Sequence, residues 1–484
     1  MPPNPQYRPA TTHAGLGGEF YDPVDAPPFP QRILRHRDQR WAARVGLDAL
    51  TDEEWLAHFG AFQPLPGSLP QPLALRYHGH QFRHYNPDLG DGRGFLFAQL
   101  HDLQDGRLLD LGTKGSGKTP WSRGGDGRLT LKGGVREVLA TTMLEALGVY
   151  TSKSFSLVET GEALQRGDEP SPTRSAVLVR LSHSHIRIGS FQRLAYLGQA
   201  EDVQRLLDHS IRHYLPEAWR DDPAERATAF LADVVQRVAV LGASWMAAGF
   251  VHAVLNTDNI NITGESFDYG PWRFLPTYDP EFTAAYFDHG GLYAYGRQPD
   301  TLMWNLVRLA ECLLPLSDKA ALEGALQGFV PQFQSALDAA VLRRLGVAPT
   351  TAEEDAALAR HWWAFLAESG IGFEQAFFDW HGGPTATERA GRSPAAAHYA
   401  GTAFAPVRAA LDARQPAPDA RLDDPYFTRT QPCTMLIEEM EAVWAPIAER
   451  DDWTAFHAKL ADIEAMRVAY AAASSPFPSG RGPG

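Results

Sequence analysis

The chain has 484 residues, with 44 Lys and Arg against 58 Asp and Glu, and so a net charge of −14 at pH 7. This length favours two or three folding units, and so acidic a chain argues against general binding to nucleic acid or anionic membranes. The two cysteines, Cys312 and Cys433, exclude a disulfide framework or a cysteine-rich zinc module, and we expect reduced thiols in a cytoplasmic protein.

The first segment, residues 1–66, is rich in Pro and Gly and has one helical stretch around Asp52–Phe59. This composition predicts an N-terminal extension that wraps the body of the protein and has no core of its own. Met1–Ala10 is Pro-rich and lacks the apolar run of a secretory signal, which agrees with the cytoplasmic expectation.

Residues 67–194 are expected to form a smaller, β-rich lobe. Runs with strand character occur at Gly94–Leu100, Arg107–Leu111 and Ala176–Leu181. One helix interrupts them, over Gly134–Leu147, where apolar residues recur at helical spacing.

From residue 195 the chain becomes helical, and Ala227–Gly249 carries the broad apolar face of a buried helix. The uncharged stretch Val238–Thr257 is long enough to cross a bilayer, but its glycines and polar residues favour a buried helix that runs into a loop. A strand–turn–strand is expected over Asn259–Phe267, and residues 300–470 are mostly helical.

This helical part is divided into a larger lobe, residues 195–400, and a C-terminal helical extension with a tail, residues 401–484. A cleft between a β-rich lobe and a helical lobe is a natural place for a nucleotide.

The segment Gly112–Thr119 matches the phosphate-binding pattern G-x-x-x-x-G-K-[ST] in full. A true P-loop opens a helix, whose N-terminus helps to bind phosphate. Here Pro120 follows at once, with glycines up to Gly127, and no apolar strand with a terminal Asp comes at a suitable distance. We therefore interpret the segment as a Gly-rich strand and loop.

Residues with the character of kinase parts follow one another in the kinase order. Gly90 and Gly92 lie in a Gly-rich turn, where backbone amides can approach phosphates closely. Lys114 ends a predicted strand, and Glu137 lies in the predicted helix of the same lobe. In kinases a strand Lys pairs with a helix Glu and positions the nucleotide phosphates.

The strongest motif is HAVLNTDN at residues 252–259, which is followed by Asp268-Tyr-Gly. Kinase catalytic loops read H-R-D-L-x-x-x-N and precede D-F-G. In this alignment Asn259 and Asp268 keep the two metal-ligand positions, which suit Mg²⁺ or Mn²⁺. Val254, however, stands where the catalytic Asp belongs. Either the protein is an inactive kinase, or Asp258 serves as the base instead.

Two arginines, Arg180 and Arg187, lie near the end of the third predicted strand. Strand alternation places Arg180 on the face opposite Val179 and Leu181, where it needs an anionic partner. A phosphate matches the donors of a guanidinium, although an internal salt bridge is the simpler explanation of Arg180 alone.

With these residues in order, the sequence resembles the selenoprotein O family of protein adenylyltransferases. The resemblance runs from about residue 73 to residue 310 and is loose beyond that point. It is carried by GHQF at 79–82, YNPDLGDGR at 85–93, KGSGKTP at 114–120, GDGR at 125–128, SHIR at 184–187, NTDN at 256–259, DYGP at 268–271, YDP at 278–280 and WNL at 304–306. It implies an α+β, protein-kinase-like bilobal fold, with a smaller β-rich N-lobe containing one key helix, a larger helical C-lobe, and extensions at both ends.

The resemblance also implies a chemistry, namely transfer of AMP from ATP to a Ser, Thr or Tyr hydroxyl of a protein substrate with release of pyrophosphate. In this family ATP lies flipped relative to its orientation in kinases. The implied roles are an ion pair for Lys114 and Glu137, metal ligation for Asn259 and Asp268, the base for Asp258, γ-phosphate binding for Arg180 and Arg187, and further nucleotide contacts for Gly90, Gly92, Arg93, Asp126 and Gly127.

The chain departs from the family pattern at several positions. Ala253 stands where the family usually has Gly, Lys118 where Arg is frequent, and Leu292 precedes Tyr293 where the family often has Arg. The tail, Pro476–Gly484, lacks the Cys or selenocysteine that many members carry, so no redox switch is expected there. A Cys312–Cys433 bridge stays open, with reduced thiols favoured.

Two other functions stay open. Ordinary γ-phosphoryl transfer is disfavoured by Val254, and a nucleotide-binding pseudokinase scaffold gives no reason for both metal-ligand positions beside Asp258. His78, His80 and His84 share a strand face and allow zinc in principle, although hydrogen-bonded structural histidines are the preferred interpretation. The sequence does not indicate an oligomeric state.

Overall fold

The computed structural model describes residues 4–167 and 169–470. Within this range an antiparallel, β-rich N-terminal part is followed by a helical C-terminal part. The predicted α+β fold with two unequal lobes is therefore confirmed. The tail Pro476–Gly484, and with it the expectation about its redox chemistry, lies outside the described residues.

The β-rich part is built around one large sheet. The described strands are β1 (Pro9–Ala10), β2 (Tyr21–Pro23), β3 (Ile33–Arg37), β4 (Leu73–Leu75), β5 (Gly79–Gln81), β6 (His84–Asn86), β7 (Leu96–His101), β8 (Leu108–Lys114), β9 (Leu129–Thr130), β10 (Lys153–Leu164), β11 (Thr173–Ser182), β12 (Phe250–Val251) and β13 (Arg273–Phe274). The main strand order of the sheet is β2-β4-β7-β8-β11-β10-β3, with β1 paired to β7 and β9 to β11. Because Gly112 of β8 lies opposite Arg180 of β11, the ends of these two strands bring predicted site residues together.

The helical part is longer and supplies most of the core. The described α-helices are α1 (Gln39–Arg44), α2 (Asp52–Phe59), α3 (Leu131–Ala146), α4 (Ile188–Tyr196), α5 (Ala200–Tyr214), α6 (Pro223–Ala247), α7 (Gln298–Leu313), α8 (Lys319–Gln327), α9 (Phe329–Leu345), α10 (Ala352–Ser369), α11 (Phe373–Trp380), α12 (Thr387–Arg392), α13 (Ala405–Asp412), α14 (Ile437–Arg450) and α15 (Thr454–Ala469). One continuous cluster of buried side chains joins α3 and the inner face of the sheet to α4, α5, α6 and α7. The two lobes therefore share a core.

Residues 1–66 help to complete the sheet. Strand β3 pairs with the long strand β10, with Arg37 opposite Ser156. Trp41 of α1 and Trp55 of α2 are buried in the cluster that covers the outer face of the sheet. The helix expected inside the lobe is α3, and this extension adds two more. The boundaries at residues 66, 194 and 400 stay predictions.

The predicted helix over Ala227–Gly249 is confirmed as α6. Asp222 caps its N-terminus through bonds from the amides of Ala224 and Glu225, and Pro223 occupies the first helical position. Among the described residues α6 is the helix long and apolar enough to cross a membrane, but 61% of its most apolar window is buried inside the protein. It lies in the structure as a core helix.

The strand–turn–strand expected over Asn259–Phe267 is wrong. The segment makes a turn, but its two arms bridge outward, Asn261 to Arg187 and Ser266 to Thr151. Partners distant in sequence therefore replace the local pairing, and both of them lie earlier in the chain, within residues 67–194.

Cys312 and Cys433 are both buried and unbonded. Burial raises the pKa of the Cys312 thiol to about 12 and that of Cys433 further still. Both thiols are therefore protonated at neutral pH, and protonated buried thiols are poor nucleophiles.

Several histidines are buried in their neutral form, which predicts acid lability. Burial lowers the pKa of His13 to about 4, that of His209 to about 3 and that of His381 to about 4. In the unfolded chain each would titrate near 6.5, so stability is present above this pH and is lost as the pH falls toward 4. Buried carboxyls with raised pKa values, Asp258 and Glu265, act in the opposite direction.

We therefore expect the free energy of unfolding to fall by about 3 kcal/mol between pH 7 and pH 5. Urea unfolding at the two pH values measures this difference. A His13→Phe variant should show a smaller difference, whereas the same change at the exposed His398 should leave it unaltered. Equal stability of the parent protein at both pH values would contradict the prediction.

Candidate active site

Lys114 and Glu137 meet in the interior between the sheet and α3. Lys114 is the last residue of β8, and Glu137 lies in the second turn of α3, whose apolar face packs on the sheet. The Nζ of Lys114 donates a hydrogen bond to Oε1 of Glu137, and the two residues are 4% and 0% exposed. The structure thus brings this predicted pair into direct contact.

Asp268 joins the pair from the other lobe. Its Oδ1 lies 2.8 Å from Nζ of Lys114 and 3.1 Å from Nη1 of Arg180. Burial alone would raise the pKa of Asp268, but Lys114, Arg180 and then Arg93 outweigh it and hold the pKa well below its usual value. Asp268 is therefore ionised at neutral pH, and Arg180 has the internal salt bridge that the sequence suggested as its simpler explanation.

Arg187 lies at the N-terminus of α4 and faces the same space. Its guanidinium lies 4.2 Å from the ring centre of Tyr77 and 5.0 Å from that of Phe267. Its Nη1 donates to the backbone oxygen of Asp258 (3.1 Å), and Nη2 lies 3.7 Å from Oδ1 of Asp91. Aromatic contacts hold the Arg187 side chain in place, and the 3.7 Å ion pair with Asp91 neutralises its charge only weakly.

Asp258 is buried beside Arg187, in a short turn that leads to Asn259. It is 8% exposed, and its Oδ1 has no hydrogen-bond partner among the described residues. Burial raises the pKa of Asp258 to about 6, against the opposing charge of Arg187. Gly79 of β5 packs directly on it, since a Cβ there would lie 2.9 Å from Oδ1.

Asn259 and Asp268 are the residues that could hold a divalent cation. Nδ2 of Asn259 donates to the backbone oxygen of Val254 (2.9 Å), which leaves the amide oxygen available as a ligand. The described residues include no group of three or more His, Cys, Asp or Glu that could hold a metal. One carboxylate and one amide oxygen nevertheless fit Mg²⁺, which commonly takes one or two protein ligands together with substrate phosphates.

Four buried side-chain atoms of this site lack a hydrogen-bond partner in the described part of the chain. They are Nε of Arg180, Nε of Arg187, Oδ1 of Asp258 and Oε2 of Glu137. Buried polar atoms are nearly always hydrogen-bonded in native proteins, so their concentration here calls for a ligand. Two free guanidinium donors suit an anion with several oxygens.

The two Gly-rich segments pack against each other at the edge of this site. Ser122 Oγ donates to the oxygen of Gly92 (2.5 Å), and the amide of Gly115 donates to the oxygen of Arg93 (2.7 Å). A Cβ at Gly90 would lie 2.4 Å from the Trp121 side chain. The glycines are therefore required for close packing of the two loops.

Asp126 and Gly127 lie in the second Gly-rich segment, and both make contacts with other protein groups. The carboxylate of Asp126 accepts bonds of 2.7 and 3.1 Å from Arg166, and the oxygen of Gly127 accepts one from Gly117. Asp126 is thus engaged at the surface, and its nucleotide contact stays a prediction. No helix begins between Gly112 and Thr130, which agrees with the rejection of a P-loop.

Sequence reasoning missed Asp91, Tyr77 and Phe267 as parts of the site. Asp91 stands between Gly90 and Gly92 in the predicted Gly-rich turn, but the sequence does not indicate that its half-buried carboxylate faces Arg187. Tyr77 and Phe267 carry no sequence signal, because aromatic residues before a turn usually belong to the core.

The three histidines weighed as a zinc site are each engaged by protein groups. Nδ1 of His78 bonds the Tyr85 hydroxyl (2.8 Å), and Nδ1 of His80 bonds the Gln192 amide (2.7 Å). His84 bonds the backbone oxygen of Phe82 (2.9 Å). These contacts agree with the preferred structural interpretation.

Gly189 fixes the β5–β6 hairpin against the turn that carries Asp258. A Cβ at Gly189 would lie 2.1 Å from the backbone oxygen of His78 and 3.5 Å from Cα of Asp258. We expect Gly189→Ala to lower the free energy of unfolding by about 2 kcal/mol, as overpacking does. Gly324→Ala is the matched control, since its Cβ meets nothing within 4 Å.

In α8 the control should raise stability by about 0.5–1 kcal/mol, because Ala is the better helix former. Urea unfolding of both variants checks the pair. A Gly189→Ala variant as stable as the parent would show that the close approach of Gly189 to His78 is not required.

Comparison with known proteins places this chain in a family. The family model described as "Protein adenylyltransferase SelO" matches residues 4–464. A relative in Trichormus variabilis, "Protein nucleotidyltransferase YdiU", is 51% identical over 383 residues, which cover 78% of this chain and 77% of the relative. Proteins of the same description are 47% identical in Gloeobacter violaceus, with 93% of each chain covered, and 39% identical in Aeromonas salmonicida, with 73% of this chain and 71% of the relative covered.

Proposed function

Because the chain belongs to the protein adenylyltransferase SelO family and is thus a protein nucleotidyltransferase that uses ATP, we propose that it transfers AMP to Ser, Thr or Tyr hydroxyls of proteins. Pyrophosphate is the leaving group.

The observation that carries the proposal is the convergence of Lys114, Arg180 and Arg187 around Asp268 and Asp258. Lys114 and Arg180 share the carboxylate of Asp268, and the Nε donors of Arg180 and Arg187 lack partners among the described residues. This surplus of donors suits a triphosphate, whose oxygens would satisfy them. Glu137 holds Lys114 toward the same space.

In the proposed reaction the acceptor oxygen forms a bond to the α-phosphorus, and the bond from that phosphorus to the bridging oxygen of the β-phosphate breaks. The hydroxyl proton passes to a carboxylate oxygen of Asp258, and the electron pair leaves with pyrophosphate. Asp258 suits this step because its pKa of about 6 lies close to neutral pH. Arg180 and Arg187 bind the terminal phosphate, which places the α-phosphate toward the acceptor.

Asn259 and Asp268 would hold Mg²⁺ or Mn²⁺, which supplies charge neutralisation of the phosphate oxygens when bound. Lys114 orients the phosphates by hydrogen bonding. Val254 lies half-buried against the apolar core of the helical lobe, so the position of the usual kinase base offers no proton acceptor. This favours Asp258 over γ-phosphoryl transfer by the ordinary kinase route.

The products test the proposal. The purified protein is incubated with ATP, Mg²⁺ and an acceptor protein, and released pyrophosphate is compared with the AMP found on peptides by tandem mass spectrometry. We expect equal amounts, with AMP on hydroxyl side chains in a linkage that resists hydroxylamine. Release of ADP, or AMP on an acyl or nitrogen atom, would overturn it.

We expect a cytoplasmic enzyme without a nucleic-acid or membrane partner, and a division into an extension (1–66), an N-lobe (67–194), a C-lobe (195–400) and a C-terminal part (401–484). Partial proteolysis with mass spectrometry would locate the boundaries.

A further inference from the structure

A second cleft lies where α3, α9 and α15 meet. It has a volume of about 890 Å³ and is bounded by the C-terminal end of α3, one face of α9 and the end of α15. Pro331, Ser335, Ala339 and Arg343 line it at intervals of four residues, so that one continuous stripe of α9 forms a wall. None of the residues assigned to nucleotide transfer lines it. The volume lies within the range of small-molecule sites.

Most of the cleft surface is apolar, although several charged residues also line it. Its walls include Leu147 just after α3, Leu342 of α9 and Val347, together with several alanines and prolines. Arg343 also lines it, and no hydrogen bond or ion pair joins the Arg343 side chain to any residue in the described part of the chain. Burial, with the neighbouring charge of Arg344, lowers the pKa of Arg343 to about 10. A guanidinium desolvated beside apolar walls is costly unless an anion accompanies it.

The other charged side chains around the cleft have partners of their own. They are Glu145 with Lys153 (3.1 Å), Asp355 with Arg414 (2.7 Å), Arg467 with Glu464 (2.6 Å) and Asp338 with the Gln334 amide (2.9 Å); Asp419 is exposed to solvent. Among the cationic side chains that line the cleft, Arg343 is thus the one without a carboxylate partner in the described part of the chain.

Deeper groups point to the same ligand chemistry. Arg344, which is 4% exposed, pairs with Glu374 through Nη2 (2.5 Å), but its Nε and Nη1 have no partner among the described residues. The hydroxyl of Tyr470, whose ring centre lies 5.8 Å from the Arg344 guanidinium, is also buried without a partner among the described residues. Unsatisfied donors beside an apolar space suit a ligand with an acidic head and an apolar body.

We propose that this cleft binds a small amphipathic anion, whose carboxylate or phosphate group pairs with Arg343 and whose apolar part lies along α9. The site is distinct from the nucleotide site, and the inference does not depend on the transfer reaction. Since the cleft is bounded by the C-terminal end of α3, a bound ligand contacts the helix that carries Glu137.

The test uses the full chain and the fluorescent anion 1-anilinonaphthalene-8-sulfonate as the probe. We expect one probe molecule to bind per chain, with displacement by octanoate or octyl phosphate and none by octanol. Displacement by octanoate only would assign a carboxylate ligand, and displacement by octyl phosphate only a phosphate ligand. Equal displacement by octanol, or no probe binding to the full chain, would overturn the proposal.

Two variants locate the probe. Arg343→Ala removes the unpaired charge, and Ala339→Trp fills the cleft from an exposed position of α9 while leaving the charge in place. Each should weaken binding at least tenfold, and Arg343→Lys should restore part of it. Arg392→Ala, at an exposed arginine outside the cleft, is the control and should bind as the parent does. Unchanged binding in both cleft variants would place the probe elsewhere and contradict the assignment.

Discussion

Replacing Asp268 by asparagine is expected to reduce AMP transfer about a thousandfold, equivalent to about 4 kcal/mol in the activation free energy. Asp268 is the residue on which Lys114 and Arg180 converge, at 2.8 and 3.1 Å. It is held with φ at +63°, in the left-handed region that non-glycine residues seldom adopt. The side chain is thus positioned at some cost in backbone energy, as is common at functional sites.

Asparagine keeps the size of Asp268 and removes its charge. It leaves Lys114 and Arg180 facing each other without their shared carboxylate, and it removes an anionic ligand from the proposed metal site. Initial rates of AMP incorporation at saturating ATP and Mg²⁺ measure the effect. Asp412→Asn, at an exposed residue of α13, is the control for an Asp-to-Asn change. An Asp268→Asn variant that is folded and retains more than a tenth of the parent rate would refute the role.

Replacing Asp258 by asparagine should lower the rate of AMP transfer and raise the stability of the protein. We expect transfer to fall by a factor of about 10² to 10⁴, the usual contribution of a general base. We also expect the free energy of unfolding at pH 7 to rise by about 2 kcal/mol, because the ionised carboxylate is buried and its Oδ1 has no partner in the described part of the chain.

The expected gain in stability follows from the raised pKa of Asp258. Its value in the folded protein, about 6, lies above that of an ordinary Asp, so its ionisation between pH 4 and pH 6 costs stability. The asparagine variant avoids this cost, and its advantage should shrink as the pH is lowered toward 5. Urea unfolding without nucleotide or metal, at pH 7 and pH 5, measures the gain. A variant that is less stable at pH 7, or that transfers AMP at the parent rate, would contradict the assignment.

The fold could be predicted where local patterns decide it. Helix α2 begins after the capping box of Thr51 and Glu54, and α6 has both an N-cap and a broad apolar face. The missed elements depend on distant partners. Strand β3 exists because Ile33–Arg37 meets β10, more than a hundred residues later in the chain. The two arms of Asn259–Phe267 likewise do not pair with each other, because they bridge to Arg187 and Thr151 instead.

The candidate site could likewise be predicted only in part from the sequence. The order of Lys114, Glu137, Asn259 and Asp268 is a sequence pattern, so their common location could be expected from it. The contacts of the site could not, because nothing in the sequence indicates that Asp91 faces Arg187. Nor does spacing along the chain reveal that Arg166 engages Asp126, since both lie in loops whose meeting depends on the packed sheet.

Labelled ATP distinguishes the transfer of AMP to protein from the transfer of the terminal phosphate. The parent protein and Asp268→Asn are incubated with Mg²⁺, an acceptor protein, and ATP labelled on either the α- or the γ-phosphate. We predict label on protein from the α-phosphate alone, dependent on Asp268. Label from the γ-phosphate alone would make the protein a kinase with a relocated base. Absence of both labels, with ATP bound, would contradict nucleotidyl transfer to that acceptor and favour a binding scaffold.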